Sequence, residues 1–157
     1  MQIEGSCHCG AVSYTVTAHE PVPFMRCYCS ICRKTAGSGG YAINLSADRR
    51  TLEVHGRHHL AVYRAKMPDG TRSKGERNFC KHCGTALWLF DPRWPDLVHP
   101  HAGAVDTPLP VPPQSTHGML AYKPEWVGVQ ASQKDERFEE LPDTSLADWH
   151  KRHHATS

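Results

Sequence analysis

The sequence predicts an all-β domain with a small helical contribution, its antiparallel strands stapled by metal-binding cysteine knuckles. Three observations carry that expectation. Short apolar, β-branched and aromatic runs recur at turn-spaced intervals, bounded by glycine and proline. All seven cysteines fall in three clusters: Cys7-His8-Cys9, Cys27-Tyr28-Cys29-Ser30-Ile31-Cys32 and Cys80-Lys81-His82-Cys83. Finally, 157 residues with 39% hydrophobic and 22% charged content suit one folded domain with a real core.

In chain order, residues 5–10 form a glycine-flanked turn that carries the first cysteine pair. Residues 11–17 alternate Val12, Tyr14 and Val16 against Ser13, Thr15 and Thr17, which is the period of a half-buried strand. Two prolines make residues 21–26 an extended entry to the second cluster. Residues 33–37 suit a single helical turn ended by Gly37, and residues 41–45 a strand. Residues 51–54 and 60–64 read as a hairpin around the turn His55-Gly56-Arg57. Met67-Pro68-Asp69-Gly70 is a turn. A strand follows the third cluster over residues 85–90, and another over 97–105 is interrupted at Pro100. Four prolines make residues 108–113 a rigid connection rather than a domain boundary. Residues 126–129 are a short apolar run. The pattern from Thr144 to Asp148 starts a short C-terminal helix ending at His153-His154. The whole chain, 1–157, reads as a single zinc-binding domain.

Composition excludes several functions. A formal net charge of +2 is too small to imply a nucleic-acid surface. The N-terminus lacks the basic and apolar regions of a signal peptide. No run approaches the roughly 18 apolar residues of a membrane span. The expected compartment is the cytoplasm, where thiols stay reduced and clustered cysteines read as metal ligands before disulfides.

Cysteine arithmetic then suggests two sites. A closed structural zinc takes four protein ligands, and a catalytic one keeps a position open. Cys7, Cys9, Cys80 and Cys83 could share one zinc and tie the first strand to the middle of the chain, so that binding energy becomes folding energy. Cys27, Cys29 and Cys32 give three thiolates from one loop. The fourth position there could take water, a substrate thiol or a histidine. His99, His101 and His117 stand as histidines that could close it, and buried free thiols are the plainer alternative for the pairs.

Residues 5–14, the run Cys27-Tyr28-Cys29-Ser30-Ile31-Cys32-Arg33-Lys34 and residues 77–87 together resemble the glutathione-dependent formaldehyde-activating enzyme family. The similarity covers roughly residues 3–140 and leaves 141–157 as an extension. It implies several coiled antiparallel β-sheets and two zinc ions. One, held by Cys7, Cys9, Cys80 and Cys83, is structural. At the other, held by Cys27, Cys29 and Cys32, a carbon–sulfur lyase reaction joins glutathione reversibly to formaldehyde or a related small aldehyde. Arg33 and Lys34 directly follow Cys32 and are candidate contacts for the carboxylates of glutathione. Tyr41, His99 and His101 are candidate proton donors. The alternative is a non-catalytic zinc module that binds a macromolecule.

Overall fold

In the computed structural model, the described residues are 1–18, 24–130 and 132–141. The predicted C-terminal helix lies outside them. Two sheets make up the fold. The larger contains β1 (Gln2–Ser6), β2 (Ser13–Ala18), β5 (Ala47–His55), β6 (Leu60–Tyr63), β7 (Glu76–Cys80), β8 (Ala86–Phe90) and β9 (Leu97–Pro100). Its order is β1-β2-β5-β9-β8-β7-β6, with every ladder antiparallel. The smaller sheet contains β3 (Phe24–Cys27), β4 (Ala42–Asn44), β10 (Ser115–Gly118) and β11 (Glu136–Arg137) in the order β11-β10-β3-β4. There β3 and β4 are antiparallel, whereas β10 runs parallel to both β3 and β11.

The expected hairpin between residues 51–54 and 60–64 does not form. β6 pairs with β7 through Leu60–Cys80 to Tyr63–Arg77, and β5 pairs with β2 and β9. Three strands therefore separate β5 from β6 in a sheet where four antiparallel steps make them run parallel. Only residues 56–59 connect them, with a short 3-10 turn over Arg57–His59. Five Cα steps span about 17 Å at most. In a flat sheet the two strand ends would lie about 19 Å apart sideways and at opposite ends of the strands. The connection can close only because the large sheet coils on itself.

Coiling creates the core. Ile3, Tyr14, Val16, Leu45, Leu87 and Val98 are buried together, and Trp88 meets Tyr14 edge-on with ring centroids 5.3 Å apart. The alternation read along residues 11–17 is realised: Val12, Tyr14 and Val16 point inward. β1 was not legible as a strand, since its run Gln-Ile-Glu-Gly-Ser offers one large apolar side chain; it forms by pairing with β2. The helical turn is longer and earlier than expected. α1 spans Ser30–Ala36, with Cys29 as its N-cap. Residues 126–129 form no strand, and the run at 97–105 ends as a 3-10 turn over Ala102–Ala104.

Candidate metal centre

Two hairpin tips build the first cluster. The β1–β2 tip carries Cys7 and Cys9, and the β7–β8 tip carries Cys80 and Cys83. Both tips bend the same way. The Cys7 N–H donates to the Val12 carbonyl (3.0 Å), as the Cys80 N–H does to Thr85 (3.0 Å). Gly10 and Gly84 sit at φ of 81° and 78°, the left-handed region where a Cβ is strained, so glycine is required at both bends. A bond from the His8 N–H to Thr85 Oγ1 (3.1 Å) joins the tips directly. As a result the four sulfurs lie within 4.8 Å of one another. Cys7 and Cys9 are 3.6 Å apart, and Cys9 and Cys80 3.7 Å. Tetrahedral ligands with Zn–S bonds of about 2.3 Å stand about 3.8 Å apart, so this donor set could hold a zinc ion. Backbone N–H groups of Val12 and His82 already point at Cys7 Sγ and Cys80 Sγ, at 3.2 and 3.4 Å. A hydrogen bond with Thr85 pulls the Cys83 thiol down to about 5.

The second cluster lies where β3 gives way to α1. Cys27 ends β3, Cys29 caps α1, and Cys32 sits in its first turn. Cys29 Sγ accepts the Cys32 N–H (3.3 Å), which turns Cys32 back towards the other two thiols. Their sulfurs also lie within 4.8 Å of one another, and Cys27 and Cys29 are 3.4 Å apart. Hydrogen bonding to Cys29 and Cys32, then burial, pushes the Cys27 thiol up, and the same contact with Cys27 pulls Cys29 down. Three crowded thiols cannot all ionise without a cation among them. That donor set, too, could hold a thiophilic divalent ion. Among the described residues no fourth histidine, cysteine or carboxylate joins this group.

A cavity of about 320 Å³ opens beside the triplet. Its lining includes Cys27, Cys29, Cys32, Asn44, Arg77 and Arg93. Arg93 is held by Asp91 at 2.6 Å. Arg77 reaches Cys32 Sγ with two nitrogens, at 3.6 and 3.7 Å. From the other side Asn44 Nδ2 approaches Cys32 Sγ at 3.9 Å, and Asn44 Oδ1 accepts from His101 Nδ1 (2.9 Å). Arg33 and Lys34 lie on α1 and do not line this cavity. Arg33 Nε is buried without a hydrogen-bond partner among the described residues, and Lys34 is exposed.

The three candidate histidines are each engaged elsewhere. His99 Nδ1 meets the Leu45 carbonyl (3.0 Å). Burial, then the Arg77 and His99 charges, pushes His101 down to about 4, which favours the neutral ring at pH 7. Tyr41 accepts from Arg26 (3.3 Å). His117 spends both nitrogens: Nδ1 lies 2.8 Å from Tyr28 Oη, and Nε2 2.8 Å from Asp135 Oδ2. Tyr28 stands between Cys27 and Cys29 in sequence, and its N–H donates to Gly118 O (3.1 Å). The buried Tyr28–His117–Asp135 chain therefore anchors the cysteine loop from behind. Sequence reasoning missed this function because Tyr28 reads only as a spacer between two thiols. Burial raises Asp135, yet bonds from His117, Ser115 and Ser132 outweigh it and hold the carboxyl at about 2. Replacing His117 by alanine leaves the buried Tyr28 phenol without its partner, removes one of several bonds to Asp135 and opens a cavity, and should cost about 2–4 kcal/mol in urea unfolding; a loss below about 1 kcal/mol would show that the chain anchors nothing.

Comparison with known proteins shows a family. Residues 2–119 match the family model described as glutathione-dependent formaldehyde-activating enzyme. A Halomonas elongata protein that carries the same family description is 58% identical over 152 residues, covering 97% of this chain and 96% of that one. A Rhodobacter sphaeroides protein of solved structure aligns with a TM-score of 0.52 at 26% identity, over 68% of this chain and 91% of that one.

Proposed function

The chain belongs to the glutathione-dependent formaldehyde-activating enzyme family, and from that premise we propose that it joins glutathione reversibly to formaldehyde in the cavity beside Cys27, Cys29 and Cys32. The carrying observation is the convergence of three thiols on one edge of that cavity, with no fourth ligand among the described residues. In the proposed step the glutathione sulfur attacks the carbonyl carbon, a carbon–sulfur bond forms, and the carbonyl π bond becomes an alkoxide. The proton released by the thiol is the one the alkoxide regains, so S-(hydroxymethyl)glutathione forms with no oxidant or reductant. This is the chemistry of a carbon–sulfur lyase run in either direction. A zinc ion held by the three cysteines supplies an open position that keeps a thiol ionised at neutral pH.

The chain's own residues do the rest. The Cys29 cap and the Tyr28 anchor hold the three sulfurs in register. Arg93 stands on the cavity wall in its pair with Asp91 and has guanidinium donors left for a carboxylate of the peptide. Arg33 and Lys34 serve as outer contacts on the adjoining helix. His101 stays neutral and orients Asn44. Zinc also fits the four-cysteine cluster, so the proposal counts two zinc ions per chain, one structural. Among the described residues no helix is long and apolar enough to cross a membrane, and a reducing cytoplasm would keep all seven thiols free.

Because the adduct also forms without an enzyme, the test is a rate. Exchange between 13C-formaldehyde and its glutathione adduct, followed by NMR, should accelerate in proportion to protein loaded with two zinc ions per chain. Fully loaded protein that leaves the exchange rate unchanged would refute the reaction.

A further inference from the structure

The charge of the triplet is matched from a distant strand. Arg77 lies on β7, three residues before Cys80, so the strand that ends in the four-cysteine cluster also carries a cation to the other one. Its guanidinium donates to Cys32 Sγ at 3.6 and 3.7 Å and to Thr35 Oγ1 at 3.4 Å. Among the described residues it makes no ion pair with a carboxylate. The side chain is half-buried and also lines a second cavity of about 300 Å³, against Thr35, Phe79 and His101. A half-buried cation without a carboxylate partner is costly unless its neighbours carry the negative charge. The sulfur of Cys32, one member of the triplet, is the anionic candidate in contact with it.

Charge counting gives the contact a role. Three thiolates around a divalent ion carry a net charge of −1, which repels an arriving thiolate. A guanidinium in contact brings the group to zero. We infer that Arg77 is a positioning residue that sets the charge of the Cys27, Cys29 and Cys32 site and thereby its affinity for anionic thiolates. The inference rests on the reading above that this triplet is where a thiol binds. It assigns Arg77 to the sulfur cluster, not to the carboxylates of glutathione, and so applies to a thiol that has none.

That distinction selects the probe. Cobalt-loaded protein is titrated at one pH with 2-mercaptoethanol, a thiol without carboxylates, and sulfur-to-cobalt charge-transfer absorption reports binding. A unit charge at contact distance in a partly exposed site is worth roughly ten- to hundredfold in an equilibrium. Arg77→Gln should therefore weaken thiol binding by about that factor, while binding of neutral imidazole changes by less than about threefold. Arg77→Lys keeps the charge and loses the fork, and should recover most of the affinity. Both variants should still hold two metal ions per chain. The idea is overturned if Arg77→Gln binds the thiol within about twofold of the parent, if Arg77→Lys is as weak as Arg77→Gln, or if the parent shows no thiol-dependent absorption. Should Arg77→Gln fail to fold, the preference of Arg77→Lys for thiol over imidazole decides: retained, it supports the charge role, and lost, it refutes it. Formaldehyde exchange by the parent is scored separately. Its absence removes the proposed reaction and leaves the thiol titration to judge Arg77.

Discussion

Replacing Cys80 by serine should abolish the native fold. Cys80 is fully buried at the end of β7, its sulfur 3.7 Å from that of Cys9 on the other hairpin tip, 71 residues away. A structural zinc at such a cluster contributes about 10–16 kcal/mol of apparent folding free energy, against a typical total stability of about 5–15 kcal/mol. Serine supplies a hard, largely protonated oxygen in place of a soft thiolate and leaves it buried among sulfurs. Loss of that one ligand therefore removes a term as large as the whole stability. The tie also closes a long loop, so the β1–β2 tip is released from the β7–β8 tip at the same moment. The expected result is a far-UV circular dichroism spectrum without β-sheet character, and prolonged treatment of the parent with a strong chelator should give the same spectrum. A Cys80→Ser protein that melts at the parent temperature would show that the four-cysteine cluster is not a staple.

Cys29→Ser should behave in the opposite way, keeping the fold and losing the chemistry. Cys29 is the N-cap of α1, and its sulfur accepts the Cys32 N–H. Serine is a preferred N-cap, so the helix start should hold its stability within about 1 kcal/mol. The triplet meanwhile drops to two soft ligands, too few to retain a zinc ion beside an open position. Metal content should fall from two ions per chain to one. The protein-dependent part of the formaldehyde exchange should fall by about two to four orders of magnitude, the range that follows loss of a thiol-activating centre. A Cys29→Ser protein with parental exchange rates would exclude the triplet from the reaction. Together the two serine variants separate the clusters, because one reports on folding and the other on turnover.

Much of this was legible in the chain itself, for local physical reasons. Cysteines two or three residues apart have few ways to avoid converging, on the glycine-bent turns at 7–9 and 80–83 as in the run at 27–32, so all three clusters were visible as donor sets. Alternation along residues 11–17 showed which side chains of β2 face inward, because a strand's side-chain period is two whatever it pairs with. Strand pairing was another matter. Residues 51–54 and 60–64 looked like a hairpin because a turn lies between them, yet β6 lies against β7 and β5 against β2 and β9. Pairing partners follow from which faces can be buried together, and a coiled sheet offers neighbours remote in sequence. The C-terminal helix pattern falls beyond the described residues.

By itself, then, the sequence determined the donor atoms, their three local clusters and the β class, while the fold brought the pairs 7/9 and 80/83 together. Only the tertiary structure decided what surrounds the triplet. It set His117 against Tyr28, 89 residues away, and buried His101 so that its neutral form is favoured. It placed Arg77 against Cys32 across 45 residues, while the adjacent Arg33 and Lys34 do not line the cavity. The reason is one of range. A ligand set within a turn is fixed by covalent geometry over a few residues, whereas the charge and burial around it depend on strands brought alongside by the packing of the whole core.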